Sequence, residues 1–463
     1  MHLRYLLPIL FVAKPLAAEF ATPSTWEGTN ITASTLDRQA TIAAAIDVVY
    51  ANESSNDDFF SILAVYDFRS NTTAYEDAVT AHFSNSTFAS NQFVSIALHC
   101  LIWTDPIVPT YVNSLMSQCV DAVRAYQAYQ DSATLDLAVQ AWEYGRTLTI
   151  SKANIAAGSI PAKTFNITKT CSGVSLVGGT FWQTTDTDTT IFGDSTALFF
   201  ALSAYLYQAT SNSTYLDAAQ DSGAFMVDLM NITSAGNGLA TVSANDSASC
   251  GDTFGAGTFR IDQAGFFLEG LAILPGNTSF GKQDLSVDTL RSNLVNITLT
   301  TNKLANADNG IINVGSGLGD QSLVQGLGTL YHTINATGPG DLVTYIGNFL
   351  SVQYNTIFTA ATILNSNIYA GSWIGPPVEQ YDETNQTLAL FALVNAAQVT
   401  LTTNSTTTGA ATGTGTGAGA GNGSGTSTAV PQVTSTSNGA VGLGIDAVLG
   451  SVIPLVLISI AIL

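Results

Sequence analysis

The chain has 463 residues, 46% of them hydrophobic and only 10% charged, with 34 acidic against 13 basic side chains and a net charge of −21. That length exceeds one small domain, and the acidity excludes a basic nucleic-acid surface or a polybasic membrane patch as the main business of the protein. Charge stands well below the roughly 25% of an average soluble protein, so solubility must come from another source.

The chain opens on an export signal. Met1–Arg4 is basic, Leu6–Ala13 is apolar, and Leu16-Ala17-Ala18 offers a small-residue cleavage site, so residues 1–18 read as a signal peptide. Pro8 and Pro15 argue against a buried first helix. Fourteen Asn-x-Ser/Thr sequons, from Asn30 to Asn422, suit a glycosylated surface that stands in for the missing charge.

Residues 19–400 form the body, and its first half repeats itself. Ala64–Phe83, Ala122–Trp142 and Ser203–Phe225 each pair an Ala- and aromatic-rich helix with a polar break and a second helix. Polar residues at the break and acids in the following turn are helix-start chemistry. The aligned positions Tyr75, Leu135 and Leu216 give spacings that fit successive helical hairpins joined by long loops. Apolar residues keep helical spacing in Ile261–Leu274, Leu285–Thr298, Ser322–Thr333, Leu342–Ile363 and Gln386–Val399. Roughly a dozen helices with little strand signal predict a single all-α domain. Its hairpins would close into a ring rather than an open solenoid, since the repeat lengths are uneven.

Four cysteines follow the signal. In an oxidising compartment they allow three pairings, of which Cys100–Cys119 with Cys171–Cys250 closes the shortest loops. They lack metal spacing, and only His82, His99 and His332 follow the signal, so neither a metal centre nor a cofactor is expected.

Three Gly-rich segments interrupt the helices: Val177-Gly178-Gly179-Thr180-Phe181-Trp182, Asn309-Gly310-Ile311-Ile312-Asn313 and Ile368-Tyr369-Ala370-Gly371-Ser372-Trp373. Glycine lets backbone approach a ligand, and Trp182 or Trp373 could stack on a sugar ring. The competing reading makes them tight loops that plug the ring with core tryptophans.

The end of the chain changes character. Residues 401–438 are almost wholly small and polar, a flexible stalk. Ala447–Leu463 is uncharged and lacks a basic flank, so residues 439–463 read as a glycolipid-anchor signal with Asn438 as the ω site and Asn422 as the alternative.

The hairpin ending in Tyr215-Leu216-Asp217-Ala218-Ala219, preceded by Gly178-Gly179-Thr180-Phe181-Trp182, resembles glycoside hydrolase family 76, and its divergent fungal members most closely. Gly319-Asp320-Gln321-Ser322-Leu323-Val324-Gln325-Gly326-Leu327 and Tyr369-Ala370-Gly371-Ser372-Trp373 extend the resemblance over about Asp37 to Ala396. The resemblance implies an (α/α)6 toroid with its cleft at one end of the inner helices. It also implies retaining chemistry on α-1,6-mannan and, for surface members, a part in cell-wall assembly. The implied partner is wall polysaccharide or mannoprotein glycan; the uncharged tail separately predicts membrane attachment through a lipid anchor, the acidity predicts no nucleic-acid partner, and a monomer is expected.

The catalytic pair departs from the family. Its two adjacent aspartates map onto Asn113-Ser114, and neither side chain can serve as a carboxylate nucleophile or a general acid. Asp57-Asp58 is the one adjacent aspartate pair in the body, one hairpin too early, and a helix-capping role competes with a catalytic one. The candidate site is therefore Asp57 and Asp58 as catalysts, with Trp182, Trp373, Gly178, Gly179, Tyr369 and Asn113 binding substrate. Asp186, Asp188 and Asp194 are further acids near the Gly-rich segments; Asp186 and Asp188 are expected to lie in a solvated loop, and Asp262 and Asp320 to cap helices. Three classes of function follow: a glycosidase or transglycosidase on mannan-type glycans, a silent glycan-binding member, and a structural wall mannoprotein.

Overall fold

A computed structural model describes residues 20–52, 56–84, 111–234, 238–247, 260–300, 305–306, 309–313 and 317–400. The proposed signal peptide, stalk and anchor signal lie outside them, as do Cys100, Cys250 and Asn438. The chain divides into a unit of residues 1–403 and a second of residues 404–463. Among the described residues, no helix is long and apolar enough to cross a membrane.

The first unit is all-α, as its periodicity predicts. Six helices are buried on nearly every side: α2 (Asp57–Ser70), α4 (Val112–Tyr129), α7 (Gly193–Thr210), α9 (Ile261–Ile273), α11 (Gln321–Ile334) and α13 (Glu383–Ala396). In α7, every residue from Gly193 to Leu206 is buried, the mark of a helix inside a larger body. Each packs on the next, and α13 packs back on α2, so the six close into a ring. Outside them lie α1 (Thr35–Tyr50), α3 (Glu76–Ser84), α5 (Ser132–Thr147), α8 (Ser213–Asp228), α10 (Val287–Thr300) and α12 (Gly340–Thr356), with a short α6 (Lys152–Ala157) in a connection. The outer helices bury one stripe each. The result is the (α/α)6 toroid. Among the described residues, strands are confined to four two-stranded ribbons of two or three residues per strand in the connections, such as Thr190–Phe192 paired with Thr241–Ser243.

The sequence repeat has a local cause. Asn71, Gln130 and Ser211 end α2, α4 and α7 in the left-handed region, at φ 53°, 58° and 57°, and each N–H bonds the carbonyl four residues back. Asp131 and Asn212 then cap the next helix. Gly326 of α11 faces Gly265 of α9, where an added Cβ would meet the Gly265 carbonyl oxygen at 2.2 Å.

A polar seam runs through the middle of this apolar ring. Arg124 of α4 donates to both Glu269 oxygens of α9, at 2.8 and 2.6 Å, and to Ser61 of α2 at 3.1 Å. Tyr205 of α7 donates to Glu269 at 2.8 Å. Asn395 of α13 donates to Gln325 of α11 at 2.9 Å and accepts from Arg69 of α2. All six inner helices therefore contribute to it. Burial alone would raise the Glu269 pKa, but the charge and bonds of Arg124 hold it below the ordinary value.

Cys171 is disulfide-bonded, and the neighbouring Ser172 N–H donates to the Ser247 carbonyl at 3.4 Å. The expected Cys100–Cys119 bridge is not what the structure shows for Cys119. Its thiol is free and buried, and donates to the Leu115 carbonyl at 2.9 Å within its own helix. None of the eleven sequon asparagines among the described residues is buried.

Removing one partner of a buried ion pair leaves an uncompensated charge, at a cost of about 3–5 kcal/mol. Arg124→Met should therefore lower the unfolding free energy obtained from urea titration by an amount in that range. Arg124→Met with Glu269→Met should recover much of the loss. A single variant as stable as the parent would contradict this account of the seam.

Candidate active site

The N-terminal parts of five inner helices, α2, α4, α7, α9 and α11, enclose a cavity of about 360 Å³. α2 brings Asn56, Asp57 and Asp58; α4 brings Asn113, Ser114, Ser117, Gln118 and Asp121; α7 brings Asp194; α9 and the residue before it bring Asp262 and Arg260; α11 brings Ser322. The pair Asp57-Asp58 and the mapped pair Asn113-Ser114 thus meet in one pocket. One hairpin of separation in sequence is one step around a closed ring.

The capping role weighed for Asp57-Asp58 belongs to Asn56, whose side chain accepts from the Asp58 N–H at 3.0 Å. Both carboxylates are left for other contacts. Asp57 Oδ1 lies 2.7 Å from His82 Nε2, and that ring stacks on Phe60 with centroids 3.9 Å apart. Asp58 accepts from Gln321 Nε2 at 3.0 Å. Burial raises the Asp58 pKa, opposed by that bond and by Arg124.

Asp121 forms the floor. Its Oδ1 meets Arg124 at 2.7 Å, and its buried Oδ2 has no partner among the described residues. Burial, then the neighbouring Asp58 charge, pushes its pKa up to about 8 against the pull of Arg124. Asp194 is 3% exposed, with Oδ2 at 3.1 Å from Arg260 and a buried Oδ1 that has no partner among the described residues. Burial and the adjacent Asp262 raise its pKa well above the carboxylate range. Asp262 is clamped by Arg260, whose Nε donates at 3.2 Å. Asp320 caps α11 as expected, accepting from Leu323 N–H at 2.8 Å, and burial with Asp262 pushes its pKa up to about 7.

The other expected binding residues divide. Asn113 lines the cavity with a buried, unpartnered Oδ1. Trp182 lies beside the cavity, half-buried, with its ring 5.2 Å from Tyr111 at the start of α4 and 5.5 Å from Phe192 at the start of α7. Tyr111 remains 41% exposed, so the rim carries an aromatic ledge. Trp373 and Tyr369 are corrections: both are 0% exposed and cannot stack on a ligand. The Trp373 ring lies against Gly319, where a Cβ would come within 2.2 Å of it. This is the core-tryptophan reading of that loop. Gly178 and Gly179 are also corrections. Gly178, at φ 92°, lets its loop approach α8, where a Cβ would lie 2.1 Å from the Asp221 carbonyl, and Gly179 packs on Phe225 and Ile191.

Asp121 and Arg260 were not foreseen. For Asp121 a signal was present: Ser114, Ser117, Gln118 and Asp121 stand at i, i+3, i+4 and i+7, a polar stripe on a helix otherwise buried in an apolar ring. No group of residues suited to holding a metal occurs among the described residues.

No family model and no curated protein matches the sequence. Solved structures do match the fold. The GH76A α-1,6-mannanase from Salegentibacter sp. HEL1_6 superposes with a TM-score of 0.59 at 13% identity, covering 79% of this chain and all of that one. An inactive variant of it, with two aspartates changed to asparagine, binds α-1,6-mannotriose and superposes with a TM-score of 0.58 at 14% identity, over 79% of this chain and 100% of that one. Dfg5 from Chaetomium thermophilum, solved with glucosamine, gives 0.55 at 12% identity, over 80% of this chain and 92% of that one. The toroid expected from the resemblance is the fold these proteins share.

Asp121 and Asp320 hold protons near neutral pH that the unfolded chain, with carboxyls near pKa 4, releases. The folded state binds more protons, so these groups make stability fall as pH rises from about 4 toward 7 to 8. Asp320→Asn, which keeps the cap, and Asp121→Asn should each flatten that fall in urea midpoints measured from pH 4 to 8. Slopes equal to the parent's would refute the assignment.

Proposed function

We propose that the chain is a cell-surface member of glycoside hydrolase family 76 that cleaves or transfers mannan-type glycan. One observation carries this reading: an adjacent aspartate pair, Asp57-Asp58, faces the acidic cavity at the helix-N-terminal end of a toroid shared with α-1,6-mannanases. Glycosidic cleavage needs a carboxylate at the reacting carbon and a proton for the leaving oxygen. Asn113-Ser114 supplies neither, so a carboxylate of the Asp57-Asp58 pair takes the first role. Asp57 of that pair lies 2.7 Å from His82 in the first turn of α2.

The cavity's preponderance of acceptors suits a ligand that presents hydroxyl or ammonium donors. The mannotriose and glucosamine bound by structural neighbours have that chemistry. The export signal, exposed sequons and uncharged tail support a glycosylated protein held at the cell surface by a lipid, with wall glycan as its partner.

A second reading is a silent glycan-binding member. It is favoured by the loss of carboxylates at Asn113-Ser114 and by the ties of Asp57 to His82 and Asp58 to Gln321. Purified protein should convert α-1,6-mannooligosaccharides, and Asp57→Asn with Asp58→Asn should abolish turnover by at least 100-fold while binding persists in calorimetry. Full activity in the double variant would eliminate the pair. Binding without turnover in the parent would favour the silent reading.

A further inference from the structure

The proposed reaction needs a proton donor, and neither Asn113 nor Ser114 can be one. We propose that Asp194 is the general acid and base of this site, set in place by Arg260 and Asp262. This rests on the enzyme reading above.

Geometry carries the assignment. Asp194 is in the first turn of α7, lines the same cavity as Asp57 and Asp58, and is 3% exposed. Its two oxygens have unlike environments. Oδ2 is held by Arg260 at 3.1 Å, while Oδ1 is buried without a partner among the described residues. Buried polar atoms are nearly always bonded, and an orphaned one at a cavity marks a position for a missing partner. A glycosidic oxygen or an acceptor hydroxyl would complete it. Burial and the Asp262 carboxyl both favour the protonated form needed for donation.

Asp121 also has an orphaned oxygen, but its other oxygen is bound to Arg124, which is itself locked to Glu269 in the central seam. A proton acceptor there would have to change charge inside the ring's main structural tie. Asp194 stands outside that tie. The charged groups facing it are Arg260 and Asp262 at the start of α9 and Asp320 at the start of α11.

As the C1–O bond of the glycoside breaks, the Asp194 carboxyl gives its proton to the departing oxygen, and a carboxylate oxygen of Asp57 bonds C1. Water or a sugar hydroxyl then bonds C1 through its oxygen. Its proton passes to the Asp194 carboxylate, and the bond from C1 to Asp57 breaks. Arg260 and Asp262 act in this step as positioning residues, through Asp194.

The test compares two substrates with purified protein and Asp194→Asn. On an unactivated α-1,6-mannooligosaccharide, loss of the acid should cost at least 100-fold in kcat/KM. On a dinitrophenyl α-mannoside, whose leaving group needs no proton, the loss should stay below tenfold. Equal losses on both substrates, or no loss on either, would overturn the assignment while leaving the enzyme reading intact. A parent protein inert on both substrates would remove the enzyme reading itself, and the acid role with it.

Discussion

The ring depends on one buried contact, the fork of Arg124 on Glu269. Desolvating two charges is costly, and the pair is tolerable only because the remaining polar atoms of Glu269 and Arg124 are bonded by Tyr205, Gln325, Ser61 and Asp121. Those bonds come from several different helices. Each inner helix must therefore present one chosen face to the axis, since an apolar ring alone would accept many rotations. Fixing the rotation of each helix also fixes which first-turn residues point into the mouth. The seam and the cavity are two levels of the same constraint.

At the mouth, opposing effects sort the acids. Helix N-termini favour ionised carboxylates, and burial disfavours them. Asp57 has His82 beside it and keeps some contact with solvent, whereas Asp194 is closed in and shares its surroundings with Asp262. Burial and the Asp262 carboxyl favour the protonated form of Asp194, the state that a donor to a departing oxygen requires. The same crowding explains why Asp121 and Asp320 keep protons near neutrality without any part in the reaction.

Much of the fold was legible because it is written locally. Helical spacing located α9 to α13, and the polar breaks at Asn71, Gln130 and Ser211 mark three hairpins whose ends share one backbone conformation. The site was legible only in part. Asp57-Asp58 could be named from its neighbours, but whether it reached the cleft depended on closure of the ring, which no local pattern states. Arg124 and Glu269 lie 145 residues apart, and nothing in either segment announces the other. Trp182 and Trp373 look alike in sequence, each beside glycines. Their fates differ because Gly319 leaves room for the Trp373 ring to sink into the core, while Trp182 stays at the rim beside Tyr111. Asp194 could be named as an acid near a Gly-rich segment, but a first-turn acid is ordinary helix chemistry until the ring places it among the residues that line the cavity.

The central claim is that the displaced pair on α2 does what the altered positions on α4 cannot. The most direct measurement is covalent trapping with a fluorinated α-mannosyl fluoride, read by intact mass and then by peptide mapping. The account predicts one added mannosyl group, on the peptide that carries Asp57 and Asp58. A label on any other peptide, or turnover of the reagent with no label at all, would contradict it.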